Sequence, residues 1–125
     1  LEHVYDLDGY LRKLKSLLKE GGYLILGLPN HQSYDAKYFG QSWFAYDLPI
    51  HVSHFSKSDI ETIVKKYNFT SLKTKPLIFD AFYIGMLSSK KSNNTILRGL
   101  IIGLLSNIKA TKTKQYSSQM YIIGS

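Results

Sequence analysis

Cysteine is absent from this sequence of 125 residues, as are an internal repeat, a low-complexity segment and a secretory signal pattern. The lack of cysteine excludes a disulfide framework and favours a reducing compartment, so we expect a cytoplasmic location. The first residue is Leu1, which indicates a cut or processed piece. At 14.3 kDa, with 44% hydrophobic residues, the chain is long enough for one small domain with a core and too short for two.

No acidic residue occurs after Asp80, and the formal net charge of the whole chain is +7. Six basic residues lie in this acid-free part: Lys90, Lys91, Arg98, Lys109, Lys112 and Lys114. Such a region can contact an anionic membrane, but lysine-rich faces that contact only solvent are commoner. Nucleic acid is not expected as a partner, because no recognised binding module is present and the aromatic residues cluster away from the lysines.

Two further absences concern catalysis. Neither Gly-x-Gly-x-x-Gly nor Gly-x-Gly-x-Gly occurs, and the spaced glycines Gly99 and Gly103 fall inside a helix pattern. A Ser/His/Asp or Cys/His arrangement is also missing. The chain by itself therefore offers no glycine-rich nucleotide loop and no sign of covalent catalysis.

The patterns that are present predict alternating helices and strands. Asp6 can cap a first helix that Gly21 ends, and the apolar run 23–28 predicts a central parallel strand covered on both faces. Ser56 and Asp59 form a capping-box pattern that starts a second helix. Residues 72–79 predict an edge strand interrupted by a proline, 81–87 a short helix, 96–108 a longer helix with a wide apolar face, and 116–123 a last strand.

Residues 30–55 follow no helical or strand period, and we call this segment the lid. It is dense in aromatic and polar side chains, which argues against disorder. Loops of this length in compact domains are commonly functional. Its rings belong to Tyr34, Tyr38, Phe39, Trp43, Phe44, Tyr46, His51, His54 and Phe55.

Four segments together carry a family resemblance. They are Leu-Glu-His-Val-Tyr-Asp-Leu at 1–7, Leu-Leu-Lys-Glu-Gly-Gly-Tyr-Leu at 17–24, Pro-Asn at 29–30 and Trp-Phe-Ala-Tyr-Asp-Leu-Pro-Ile-His at 43–51. With them the chain resembles class I S-adenosylmethionine-dependent methyltransferases, nearest to the group that includes ubiquinone-biosynthesis O-methyltransferases and methyltransferase types 11 and 23. The resemblance is strongest up to His54 and weak beyond Pro76.

The resemblance implies an α/β fold with a partial Rossmann-like sheet. The family sheet has the strand order 3, 2, 1, 4, 5, 7, 6 with strand 7 antiparallel, and residues 1–125 match its C-terminal, substrate-side half. This half holds strands 5, 6 and 7, the lid at 30–55 and a helical insertion at 81–109. The family's cofactor loop after strand 1 is not among these residues, so we expect no S-adenosylmethionine bound to this fragment. Strand 5 would keep an open edge, through which a homodimer is expected.

The same resemblance implies the site residues. Leu1, Glu2 and His3 match the segment after strand 4, near the cofactor, and His3 could act as a catalytic base because imidazole titrates near neutral pH. The alternative is that Glu2 and His3 only shape the entry to the first helix.

In the family the lid segment covers the acceptor pocket. The expected substrate-binding residues are Asn30, Phe39, Trp43, Tyr46, His51 and His54, which suit an aromatic or lipid-like acceptor, although plain packing of the lid is an equal alternative. His51 and His54 with Asp47 could in principle ligate a metal, but substrate contact or a hydrogen-bonded histidine is favoured. No metal is expected.

Two functions remain open. The first is a fragment of a methyltransferase that acts on a small-molecule acceptor and is inactive alone. The second is a non-catalytic basic module that binds an anionic membrane or a partner protein through the helix at 95–109, which is too short to span a bilayer of about 20 apolar residues. The structural alternative for this helix is that it covers the sheet.

Overall fold

The computed structural model describes residues 1–125 as a three-stranded sheet with five α-helices. The elements are α1 Leu7–Leu17, β1 Tyr23–Pro29, α2 Tyr34–Phe39, α3 Lys57–Lys66, β2 Ser71–Pro76, α4 Asp80–Lys91, α5 Ile96–Thr113 and β3 Ser118–Gly124. Short 3-10 turns at Gly40–Ser42 and Phe44–Tyr46 complete the lid. None of the helices combines the length and apolarity that crossing a membrane would require.

The sheet has the order β1-β3-β2, and β3 pairs antiparallel with both neighbours. Tyr121 in the middle of β3 lies opposite Leu26 on one side and Thr74 on the other. This is the 5, 7, 6 order with an antiparallel strand 7 that the resemblance implies. The predicted fold class, a partial Rossmann-like methyltransferase sheet, is therefore confirmed.

One expectation for β1 needs correction. The apolar run predicted coverage on both faces, but β1 alternates between more and less exposed residues, and Tyr23 and Ile25 are 63% and 60% exposed. Within the chain its only strand partner is β3, on one side, so the other edge and one face remain uncovered. The open edge itself agrees with the prediction.

The helix ends follow local hydrogen bonding. The Asp6 carboxylate accepts from the Gly9 amide, and the Ser56–Asp59 capping box forms in both directions, as predicted. Gly21 does not end the first helix. The helix stops at Leu17, because Leu18 is already extended, and Gly21 supplies a left-handed residue in the turn that follows.

The main core lies between the sheet and the helices α1 and α3. The predicted inward residues Ile60 and Ile63 are buried there beside Leu11 of α1 and Leu28 of β1. Tyr121 of β3 is also enclosed, and burial raises the pKa of its hydroxyl to about 12. That hydroxyl donates to the Gln119 side chain at 2.7 Å, so burial leaves it hydrogen-bonded.

A second, smaller core holds the lid. Ala36, Trp43, Ala45 and Ile84 are buried together, with Phe39 and Tyr46 packed against them. The lid was expected to have no regular structure, but it contains α2 and the two 3-10 turns. These pieces are too short to show a period in the sequence, and contacts to α4 and α5 hold them in place.

The helices α4 and α5 form a closely packed hairpin. The short helix expected at 81–87 is longer, since α4 runs from Asp80 to Lys91. Gly85 faces Gly99, and a Cβ atom built on either glycine would lie 2.3 Å from the other's carbonyl oxygen. Gly103 approaches Ala81 in the same way. The two backbones therefore touch, which explains why Gly99 and Gly103 occur inside a helix pattern.

Candidate functional site

A cleft of about 380 Å³ opens at the carboxyl end of β1, and we call it the acceptor cleft because the lid, which is predicted to cover an acceptor, forms part of its wall. Its walls come from the first residues, the end of β1, the lid, the start of α4 and one residue of β3. The lining residues are Glu2, Gly27, Leu28, Pro29, Phe44, Ala45, Asp47, His51, Leu77, Asp80, Tyr83, Ile84 and Ser118. Binding sites in open α/β sheets form at the carboxyl ends of strands, which is where this cleft lies.

Glu2 links the first segment to the lid. Its carbonyl oxygen accepts hydrogen bonds from the amides of Val52 at 2.8 Å and Ser53 at 3.2 Å. The residue is buried and lines the acceptor cleft, and its carboxylate accepts a hydrogen bond from the Leu1 amino group at 3.1 Å. The segment before α1 therefore holds the far end of the lid against the cleft.

His51 is the cleft residue best placed for proton transfer. Its Nδ1 lies 2.9 Å from the Ala45 carbonyl oxygen, which can only accept, so Nδ1 carries the proton. In the neutral ring Nε2 then keeps a free lone pair, 4.0 Å from the Asp47 carboxylate. The side chain is only 13% exposed, which limits its motion.

The three residues expected near the cofactor have different positions. Glu2 lines the acceptor cleft, whereas Leu1 packs against the main core. His3 is exposed and does not line the cleft, but its ring stacks edge-on against His51 with 4.7 Å between ring centroids. His3, the expected base, therefore lies next to the cleft, and His51 lies between His3 and the cleft.

His54 does not line the acceptor cleft. Its ring contacts Tyr46 at 5.1 Å, and both residues border a second, wider depression together with Gly40, Gln41 and Leu48. Burial lowers the pKa of His54, and repulsion from the nearby His51 and His31 lowers it further. Both effects favour the neutral form of this imidazole.

This lowered pKa predicts a loss of stability in mild acid. The folded protein takes up a proton at His54 less readily than the unfolded chain, whose histidine titrates at the ordinary value of 6.5. Stability is therefore full above that pH and decreases as the pH falls below it. We expect His54→Asn to lose less stability than the natural chain between about pH 7.5 and about pH 5.5 in urea unfolding. Equal losses in both proteins would contradict this assignment.

Asn30, Phe39 and Trp43 serve the protein's own packing in this structure. The Asn30 amide donates to the side chain of Gln115 at 2.8 Å and to the carbonyl of Tyr116 at 3.1 Å, which joins the end of β1 to the approach of β3. Trp43 is buried in the lid core and Phe39 packs against it. None of the three lines the acceptor cleft, and their contact with an acceptor stays a prediction.

Asp35 is a central residue that sequence reasoning missed. Its carboxylate is fully buried and accepts from Trp43 Nε1 at 2.7 Å, Ser106 Oγ at 2.6 Å and Ser117 Oγ at 2.6 Å. It thereby connects the lid to α5 and to the approach of β3. An aspartate in a polar segment is typical of an exposed loop, so only the tertiary contacts identify its role.

The cleft is acidic in a basic protein. The charged residues that line it other than histidine, Glu2, Asp47 and Asp80, are all acidic, although the chain carries a net charge of +7. Tyr83 and Ile84 of α4 also line it, and no sequence signal connected α4 with the lid. No group of three or more histidine and acidic side chains is close enough to hold a metal ion.

The fold and the site together define a class of protein. A 5-7-6 sheet with an antiparallel middle strand, a lid, and a cleft at the carboxyl end of the first strand are features of a partial Rossmann-like methyltransferase. The sequence profile of the family described as "Methyltransferase domain" matches residues 1–74, more than half of the chain. The chain therefore belongs to this family of class I S-adenosylmethionine-dependent methyltransferases. No curated protein sequence and no solved structure matches the chain.

The matched region contains Glu2, β1, the whole lid and α3, and ends within β2. It therefore includes most of the acceptor cleft. The hairpin of α4 and α5 lies beyond it, and of these two helices only α4 lines the cleft.

Proposed function

We propose that this chain forms the acceptor-binding side of a methyltransferase that methylates a hydroxyl group on a small molecule with an apolar or aromatic body. The observation that carries this proposal is the composition of the acceptor cleft. Leu28, Phe44 and Ile84 supply apolar walls, and His51 and Asp47 supply polar groups on one side. Small-molecule sites in proteins combine an apolar lining with a few polar groups in this way.

S-adenosylmethionine would supply a methyl group on a positively charged sulfonium sulfur. The residues present fit such a cation, since the three charged residues of the cleft wall, Glu2, Asp47 and Asp80, are all acidic, and the Glu2 carboxylate already pairs with a cation, the Leu1 amino group, at 3.1 Å. Leu1, Glu2 and His3 are the proposed residues next to the cofactor. The chain's own part in the reaction is to orient the acceptor and to exclude water, which accounts for much of the rate in a direct displacement.

His51 is our proposed general base, with His3 behind it. A neutral His51 whose Nδ1 proton is held by the Ala45 carbonyl can accept a hydroxyl proton at Nε2. His3 packs against the same ring and restricts its orientation. The catalytic role first assigned to His3 thus becomes a positioning role in this proposal.

Binding measurements on the 125-residue chain test the proposal. We expect calorimetry to show no micromolar binding of S-adenosylmethionine, because no glycine-rich cofactor loop is among these residues. We expect phenol and catechol to shift the amide resonances of Phe44, Asp47 and His51 in NMR spectra. The variant Phe44→Ala should weaken these shifts, and the exposed α1 variant Lys13→Gln should leave them unchanged.

Two results would refute the proposal. Micromolar binding of S-adenosylmethionine by this chain would show that it is more than the acceptor side. If phenol and catechol shifted only amide resonances of residues outside the acceptor cleft, the assignment of this cleft as the acceptor site would be wrong. Nitrogen-15 spectra add an independent check on the base, since His51 should be protonated at Nδ1 when neutral.

The open edge of β1 is the proposed contact for a homodimer. Its uncovered residues include Tyr23 and Ile25, and unpaired strand edges readily accept a second strand. We expect light scattering of concentrated solutions to show dimers, and we expect the paired change Tyr23→Lys and Ile25→Lys to give monomers, because lysine on an edge strand opposes pairing. A monomer for the unmodified chain at high concentration would count against this contact.

A further inference from the structure

Helix α5 has two apolar sides, and only one of them is used in the fold. Leu97, Ile101, Leu104 and Ile108 recur at helical spacing and are 66%, 49%, 49% and 55% exposed. We call these four residues the α5 stripe. The opposite side of the helix, with Gly99, Gly103 and Ser106, is buried. Ile102 is the one large aliphatic residue of α5 that is buried there, whereas the residues of the α5 stripe face solvent.

This arrangement reverses the ordinary one. A surface helix normally buries its large apolar residues and exposes its polar ones. Here small residues let the backbones of α4 and α5 touch, and the residues of the α5 stripe stay 49% to 66% exposed. A contiguous exposed apolar surface is characteristic of a protein or membrane interaction site.

The charged residues of α5 and of the last turn of α4 are all basic, and Asp80 at the opposite end of α4 is the one acidic residue of the hairpin. Lys90 and Lys91 lie at the end of α4 that precedes the stripe, and Lys112 lies in the last turn of α5. These three lysines make no ion pair. Residues 81–125 contain no aspartate or glutamate that could neutralise them. A partner that binds this surface is therefore expected to supply negative charge.

Two other cations of α5 are already engaged. Arg98 donates to the Tyr38 hydroxyl at 2.9 Å through Nε, and Lys109 lies 3.7 Å from the centroid of the Tyr34 ring. Both tyrosines belong to α2, so these contacts attach α5 to the lid. The three lysines at the ends of the hairpin remain available for an external partner.

We propose that the α5 stripe docks the protein on the surface of an anionic lipid bilayer. The aliphatic residues would enter the boundary between headgroups and acyl chains, and Lys90, Lys91 and Lys112 would contact lipid phosphates. A second copy of the chain fits this surface less well, because it would bring the same unneutralised lysines together. A bilayer supplies both the apolar layer and the negative charge. This inference does not depend on the proposed methyl acceptor.

Cosedimentation of the 125-residue chain with lipid vesicles tests the proposal. We expect binding to phosphatidylcholine vesicles that contain about 30% phosphatidylserine, weakening at high salt, and little binding to pure phosphatidylcholine. The triple variant Lys90→Gln, Lys91→Gln and Lys112→Gln should bind about 100-fold more weakly. The matched triple variant Lys13→Gln, Lys19→Gln and Lys65→Gln removes the same charge from α1, the turn after it and α3, and should bind almost normally.

The apolar part is tested with Leu104→Ser and Ile108→Ser combined. Both residues are exposed, so circular dichroism should remain native while vesicle binding falls by more than about tenfold. Three results would overturn the proposal. The first is that the chain does not bind anionic vesicles. The second is that the two lysine variants weaken vesicle binding equally. The third is that the stripe variant abolishes self-association in light scattering and leaves vesicle binding unchanged.

Discussion

Gly99→Ala is expected to lower the free energy of unfolding by about 3 kcal/mol, because the added methyl group meets backbone on α4. The new Cβ would lie 2.3 Å from the Gly85 carbonyl oxygen and 2.7 Å from the Met86 Cα, neither of which can move without separating the helices. Helix propensity favours alanine over glycine by about 1 kcal/mol, so propensity alone predicts the opposite sign. Urea unfolding followed by circular dichroism measures the difference.

Gly27→Ala is the matched control for this prediction. An added Cβ at Gly27 would meet only the Leu77 side chain at 3.7 Å, an ordinary van der Waals contact. We expect its stability to stay within about 0.5 kcal/mol of the natural chain. If Gly99→Ala proved as stable as the natural chain, the close contact between α4 and α5 would be disproved. The position of α4 beside the acceptor cleft would then also need revision.

Asp35→Ala is expected to cost about 4 kcal/mol, since it leaves three buried donors without their acceptor. The donors are the Trp43 indole and the hydroxyls of Ser106 and Ser117. Asp35→Asn preserves the shape but loses the charge and half of the accepting capacity, and should cost about 2 kcal/mol. Equilibrium unfolding in urea gives both values.

Trp43 is the only tryptophan, so its fluorescence reports directly on the lid. In the Asp35 variants we expect its emission to shift towards that of exposed indole at lower urea concentrations than those that unfold the sheet. Glu20 is exposed in the turn after α1, so Glu20→Gln removes one carboxylate that makes no buried contact. This variant should behave like the natural chain. An Asp35→Asn protein with unchanged stability would mean that the carboxylate does not hold the lid.

Local structure was largely predictable from the sequence. The caps at Asp6 and Ser56 form as predicted, since a capping hydrogen bond needs only residues three positions apart. The inward positions Ile60 and Ile63 follow from helical periodicity alone. The order of the three strands followed from the family resemblance, not from the strand patterns themselves.

Predictions failed where the deciding contacts come from distant parts of the chain. The lid contains helices too short to show a period, and Asp35 is buried because α5 and the approach to β3 close over it. The proton-transfer role of His3 stays a prediction, and the structure adds that the Ala45 carbonyl orients a second histidine, His51, which sequence reasoning had placed only among the substrate contacts. No pattern within either segment carries that information.

By itself, the sequence determined the methyltransferase family, the caps, the helical periodicities and the surplus of basic residues after Asp80. These features depend on residue types and on spacings of a few positions. Only the tertiary structure decided which side chains line the acceptor cleft and which side of α5 faces solvent. The physical reason is that the cleft lining and the exposed side of α5 depend on contacts between residues far apart in the chain. These contacts are the backbone contact between α4 and α5 and the hydrogen bonds of the buried Asp35 carboxylate.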